Sequence, residues 1–370
     1  MSNGNSAHPE SSRAKLKIGL IVDSEFVSKY VYELAEWAKT QENLFISHFL
    51  LQKSTSARII ATKDNIRSGR QKTLSDVMRR RFLALITRFE NLRMRGEIHY
   101  TDHLKLADLK EIVPESITIT PLISKEGLAL HYSIEDIQKI RDLRLDLLIH
   151  CGSGILTGEI LKSSRLGIIL IIHGDDRTNR GGPPGFWEVH FKQDHTGFKI
   201  WQLTEEGERN ILFRGSIQTR PYFLLNQAVA FVKSHFYLRQ LIRTTAVTGE
   251  LPAALDSQPD FHPLSKSPGL REQLKYILNF VISATLNTFG RIVLKKDYRF
   301  GVAYMKCDWK SLVMCQARKI ETPANHFLAD PFVIREGDRD FCFLEDYDYK
   351  TSRGFICAYE LKEDAAERLG

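Results

Sequence analysis

The chain has 370 residues, more than one ordinary domain of ~100–200 residues holds and enough for two. Hydrophobic residues make up 43% and charged residues 26%, which excludes the disordered and fibrous classes and leaves a globular protein able to bury real cores. The formal net charge of +7 suits an anionic partner, but the excess is scattered rather than gathered in a basic tail.

Met1 to Lys15 is polar and lacks the apolar core of a secretory signal, so residues 1–15 read as a disordered lead-in. Lys17 to Val22 is a short apolar run ending at Asp23-Ser24. Val27, Val31, Leu34, Ala35 and Ala38 follow at helical spacing, and Leu44 to Leu51 is apolar again, which predicts strand, helix, strand. The one dense basic stretch holds Arg79, Arg80, Arg81, Arg88, Arg93 and Arg95. Phe82, Leu85, Ile86, Phe89 and Leu92 recur through it at helical spacing, so it predicts an amphipathic helix with a solvated basic face; a phosphate-binding face is the alternative. Leu143 to His150 is a buried-strand candidate broken by Gly152-Ser-Gly154. Leu156 to Leu161 starts a short helix, and Gly167 to His173 is the next strand. Phe198 to Leu203 alternates with period two, and a helix from about Phe223 to Arg243 closes the region. Strands alternating with helices predict an α/β domain with a Rossmann-type, mostly parallel sheet over residues 16–245.

Pro252, Pro259, Pro263 and Pro268 mark residues 246–270 as a linker, followed by a helical connector over 271–298. Tyr276 to Phe289 is interrupted by Asn279, Ser283, Thr285, Asn287 and Thr288 and falls short of the ~20 apolar residues that cross a bilayer, so no membrane span is predicted. From 299 to 370 the texture is all-β: Phe300 to Met305, Phe332 to Arg335, Asp340 to Leu344 and Gly354 to Leu361, separated by charged turns such as Glu336-Gly337-Asp338. So short a meander cannot bury both faces of its sheet, so the strands are expected to continue into a larger β domain or to pack on a partner. The five cysteines show no Cys-x-x-Cys or Cys/His spacing, which predicts free thiols in the cytoplasm and no metal site.

The chemistry concentrates between Leu166 and Leu203. His173 ends a buried strand, Gly174-Asp175-Asp176 follows, and Arg180-Gly-Gly-Pro-Pro-Gly185 makes a turn where open α/β sheets place their ligand crevices. Glycines let a backbone approach a ligand, prolines stiffen the turn, and Arg180 suits an anionic group. Asp175 and Asp176 read as substrate contacts or as turn formers. A histidine such as His173 taken alone is more often a satisfied core residue; the glycine-rich turn after it turns the reading toward a site.

His173, Arg180-Gly181, Pro184, Trp187 and Thr196-Gly197 recur in the order and at about the spacing of the folate-dependent formyltransferases, and the region from Lys17 to Arg243 resembles that family. The resemblance implies 10-formyltetrahydrofolate as co-substrate, held by Gly152, Gly174, Arg180, Gly181 and Gly182. It implies that His173 stabilises the oxyanion formed as an amine attacks the formyl group. Two positions depart from the pattern. The family's asparagine falls on Ile171, which has no hydrogen to donate, and its Asp-x-Gly is missing from Leu203 to Leu212, leaving Glu208 as the replacement carboxylate. Loss of one oxyanion donor typically costs ~10²–10³ in rate, which motivates a competing reading as a carbohydrate-binding protein that kept the fold and lost catalysis.

Phe327-Leu-Ala-Asp-Pro-Phe332, Phe341 to Tyr347 and Gly354 to Glu360 resemble one blade of the five-bladed propellers of furanosidase-like glycoside hydrolases, closest to the N-terminal region named after glucosamine inositolphosphorylceramide transferases. Residues 299–370 are thus expected to form a partial propeller-like domain, in which Asp330 matches the substrate-facing aspartate and Glu345 or Asp346 is a second acid. The whole implies formyl transfer to the amino group of a sugar or sugar nucleotide, with no nucleic-acid partner. A glycan-processing protein centred on the propeller is the third reading.

Overall fold

The structure, a computed structural model, describes residues 15–53, 74–93, 105–123, 129–173, 183–204, 209–255, 268–292, 300–308 and 317–370. The chain divides into two compact units, Met1–Gln273 and Leu274–Gly370.

The first unit is built on a seven-stranded sheet of β1 (Leu16–Val22), β2 (Leu44–Gln52), β3 (Ser116–Ile119), β4 (Leu147–His150), β5 (Ile168–His173), β6 (His195–Leu203) and β7 (Arg209–Gln218), in the order β7-β6-β5-β4-β1-β2-β3. From β5 to β3 every neighbour is parallel, while β6 and β7 add antiparallel pairings at one edge. A parallel sheet needs cover on both faces, and its inner strands are accordingly apolar at consecutive positions. Leu20 and Ile149 face α1 (Lys29–Lys39), whereas their neighbours Ile21 and Leu148 face the opposite layer. Among the described residues this unit also holds the helices α2 (Leu74–Arg93), α3 (Ile134–Asp142) and the short α4 (Phe186–His190). The long α5 (Phe223–Thr248) joins α1 on its face through Leu238, Leu241 and Ile242, and α3 covers the other face through Ile137 and Ile140.

Local chemistry accounts for several element ends. Ser133 Oγ accepts from Asp136 N at 3.1 Å and caps α3, which carries Glu135 and Asp136 in its first turn and Lys139 and Arg141 in its last, as the helix dipole favours. Beyond Arg243, the expected end, α5 continues for more than a turn, because the first residue able to take the left-handed cap is Gly249, at φ 77°. Leu143 to Asp146 is not strand: Arg144 turns at φ 49°, and Asp146 spends its carboxylate on Lys17 N at 2.8 Å, so β4 begins only at Leu147. The segment expected to open a helix at Leu156 instead makes a two-residue strand, Ile155–Leu156, and then a short 3-10 turn, Gly158–Lys162.

A 23-residue helix, α6 (Leu270–Ile292), runs through the division between the units. Among the described residues no helix is long and apolar enough to cross a membrane. The second unit holds an antiparallel four-stranded meander of β8 (His326–Glu336), β9 (Arg339–Asp348), β10 (Arg353–Leu361) and β11 (Ala366–Arg368). Along β9, Asp340, Cys342, Leu344 and Asp346 are buried at every second position, the period of a sheet with one covered face. Val302, Ile320, Leu328, Cys357, Tyr359 and Leu361 complete that small core. One meander is the size of a single propeller blade, and the described residues hold no ring of such sheets.

Candidate functional site

The chain runs β1, β2, β3 outward to one side of the sheet and then returns to place β4 and β5 on the other side of β1. The connections leaving β1 and β4 therefore part in opposite directions, which opens a crevice at their carboxyl ends. Asp23, just past β1, and Ser153, just past β4, meet across it: Asp23 Oδ2 accepts from Ser153 N at 2.9 Å and from Ser153 Oγ at 2.7 Å. Asp23 Oδ1 accepts from Nε2 of the fully buried Gln52 at 3.0 Å, and Gln52 Oε1 accepts from Tyr132. Burial, and then the charges of Asp23 and Asp136, raise the Tyr132 pKa, so its hydroxyl stays protonated and remains a donor. His150, the last residue of β4, donates from Nε2 to Gly154 O at 3.1 Å; its buried Nδ1 has no hydrogen-bond partner, and burial lowers its pKa. The next residue, Cys151, has its thiol pushed up to about 12 by burial. Cys151, Cys307, Cys342 and Cys357 carry free thiols.

Gly152 sits inside this network. A Cβ there would lie 2.5 Å from Gln52 Nε2 and 2.9 Å from Asp23 Oδ1, so its lack of a side chain serves the packing of the polar floor. Sequence reading missed Gln52, Tyr132 and Ser153 as a group, since only the crossover of the sheet brings them together. The one local signal was Asp23 at the end of the first strand.

His173 ends β5 opposite Phe198 of β6. Its ring lies flat on Phe231 of α5, with centroids 3.9 Å apart and planes at 17°, and its Nε2 is 2.7 Å from Ser234 Oγ. Ser234 Oγ donates to Phe231 O at 3.0 Å, so Nε2–H is the donor toward Ser234 and Nδ1 carries the lone pair. Burial pushes the His173 pKa down to about 3, and the ring is neutral at neutral pH. His235, one residue after Ser234, is pushed to about 3 by burial, with the charges of His173 and Arg239 adding to the shift. Both imidazoles are therefore uncharged near pH 7. Ile171, two residues earlier on β5, packs against the apolar core on the α1 and α5 face.

Gly174, Asp175, Asp176, Arg180, Gly181, Gly182 and Glu208 lie outside the described residues. The residues just before α4 are firmly held. Gly185, at φ 84°, has its carbonyl bonded by Asn226 Nδ2 at 3.0 Å, and Pro184 O accepts from Gln227 Nε2 at 3.1 Å. Thr196 Oγ1 is 2.8 Å from Asn226 Nδ2 and 3.0 Å from Thr219 Oγ1, so the buried Thr196 ties β6 to the same clamp. Trp187 is buried, stacked on Phe191 with centroids 5.5 Å apart and edge-on to Phe186 and His190; it is packing rather than an open platform.

In the second unit Asp330 is exposed and sits at φ 49°, in the register break of β8 between Ala329 and Phe332. A cavity of about 660 Å³ nearby is lined by Tyr304, Lys306, Pro331, Arg335 and Asp340 among others, but not by Asp330. Asp346 is fully buried and bound by His326 Nδ1 at 2.6 Å and Arg368 Nη2 at 3.0 Å, so it braces the sheet. No cluster of three or more His, Cys, Asp or Glu able to hold a metal occurs among the described residues.

No family model matches the chain, and no curated protein matches it in sequence. Solved structures that the chain is similar to include formyltransferases. A 4-N formyltransferase from Francisella tularensis aligns over 70% of this chain and 86% of its own, at 12% identity and a TM-score of 0.36. For a sugar N-formyltransferase from a Shewanella species the figures are 70%, 86%, 14% and 0.37. For a phosphoribosylglycinamide formyltransferase from Anaplasma phagocytophilum they are 67%, 98%, 12% and 0.39. At such identities and TM-scores they assign no activity to this chain.

Proposed function

We propose that the first unit is a formyltransferase-type domain that passes a formyl group from 10-formyltetrahydrofolate to the amino group of a sugar or sugar nucleotide. The observation that carries this reading is the motif residue His173 standing neutral at the carboxyl end of β5, a strand paired in parallel with β4, which leads into Ser153 of the crevice floor. In this reading the acceptor amine forms a bond to the formyl carbon, and the carbonyl oxygen becomes an oxyanion. His173 Nε2–H turns from Ser234 to that oxyanion. Glu208 takes the proton from the attacking nitrogen, the oxyanion collapses to the carbonyl as the bond between the formyl carbon and the folate nitrogen breaks, and Glu208 delivers the proton to that departing nitrogen. Gly174, Arg180, Gly181 and Gly182 hold the folate, and Asp175 and Asp176 accept hydrogen bonds from acceptor hydroxyls. The second unit, read as one propeller-like blade, contacts carbohydrate through Asp330 and the neighbouring cavity.

A second reading, a ligand-binding domain without catalysis, is favoured by one specific feature. His173 already spends its only N–H on Ser234, and Ile171 supplies no donor in place of the family's asparagine. Calorimetric titration with a stable formyl-folate analogue, run beside a transfer assay on amino sugars, separates the two. Catalysis requires turnover that falls by ~10²-fold or more in His173→Ala while analogue binding persists. Binding with no turnover in the wild type supports the second reading. Folded protein that binds no analogue sinks the first reading and leaves a degenerate fold whose ligand is carbohydrate.

A further inference from the structure

The basic helix α2 is fastened by one side and displays another. Ile86 is buried, and the buried Glu90 receives the backbone N–H groups of Phe223 at 3.2 Å and Leu224 at 2.8 Å, which docks α2 on the start of α5. On an adjoining side, Met78, Leu85, Phe89 and Leu92 are 43%, 56%, 55% and 49% exposed. Their spacing of seven, four and three residues puts them in one stripe, which at 1.5 Å per residue is about 21 Å long. Single exposed apolar residues are ordinary; four large ones in one row mark an interaction surface. Arg81 and Arg88, both exposed and seven residues apart, run parallel to the stripe along one flank.

We propose that this face of α2 lies on an anionic lipid surface. An apolar row with a cationic flank is the composition of helices that rest in the plane of a bilayer interface, the row entering the acyl boundary and the cations meeting the headgroups. A lipid interface accepts such a row from one helix without any matching groove. The chain's net charge of +7 adds long-range attraction of the same sign. The helix rests on the membrane and does not cross it.

Flotation of the full chain with phosphatidylserine/phosphatidylcholine vesicles tests this against vesicles of phosphatidylcholine alone. Binding is expected only to the anionic vesicles, and it weakens as salt rises. A Leu85→Glu/Leu92→Glu variant should bind at least about tenfold less, and Arg81→Ser/Arg88→Ser should lose the preference for phosphatidylserine. Leu85→Trp keeps an apolar side chain and gives a second readout: the indole emission of this variant should shift to the blue on anionic vesicles. The proposal is overturned by wild-type protein that ignores anionic vesicles, by equal binding to neutral ones, by unchanged binding of the glutamate variant, or by emission of the Leu85→Trp variant that does not move. Loss of binding in the arginine variant alone, with the glutamate variant unaffected, would mean a polyanion partner and overturns it equally.

Discussion

Gly152 shows how one missing side chain organises the crevice floor. Gln52 is the far end of a flexible residue, yet it is pinned by Asp23 on one side and Tyr132 on the other, so it has nowhere to withdraw. Gly152→Ala is therefore expected to cost about 1–3 kcal/mol, read from urea unfolding, and the loss should shrink in the Gln52→Ala background. The histidines make a pH prediction of definite sign. His173 and His235 have pKa values near 3 in the folded protein against an ordinary 6.5, so the unfolded chain binds more protons than the native one in that interval. Stability from these two residues is complete above about 6.5 and is lost progressively as pH falls toward about 3. Denaturant melts taken across that range should show this acid limb, and His235→Leu should flatten it; an unchanged slope would mean that His235 is not held neutral.

At the scale of elements, α2 and α5 depend on each other through Glu90. Its carboxyl oxygens supply acceptors for two orphan N–H groups at the start of a helix. Glu90→Ala should cost about 1–2 kcal/mol, as loss of an N-cap does, and hydrogen exchange should quicken in the first turn of α5 and in α2 together. The clamp of Asn226 on Gly185, Thr196 and the backbone of Arg220 is a second such joint. Asn226→Ala leaves the buried Thr196 short of a partner, and raised proteolytic nicking just before Gly185 is the expected sign that the start of α4 has been released. These joints give physical reasons for the Thr196 and Gly185 positions that do not require contact with a ligand.

For the molecule as a whole, the division into two compact units, each with its own core, predicts two transitions in calorimetry rather than one. A chain ending before α6 should keep the transition of the first unit and lose the other. The layered α/β architecture was legible in the hydrophobic pattern, because parallel strands buried on both faces must be apolar at consecutive positions, as in Lys17 to Val22 and Gly167 to His173. The primary sequence also determined the period-two meander near the carboxyl end and the position of His173 at a strand end. It did not contain the partners of His173: Ser234 and Phe231 lie about sixty residues away, on a helix whose apolar pattern says only that it is buried. The crevice floor was equally hidden, since Asp23, Gln52, Tyr132 and Ser153 come from four separate segments. Hydrophobic periodicity is written in neighbouring residues and can be read from them. The pairing of polar side chains is decided by strand order and crossover, so only the tertiary structure settled it.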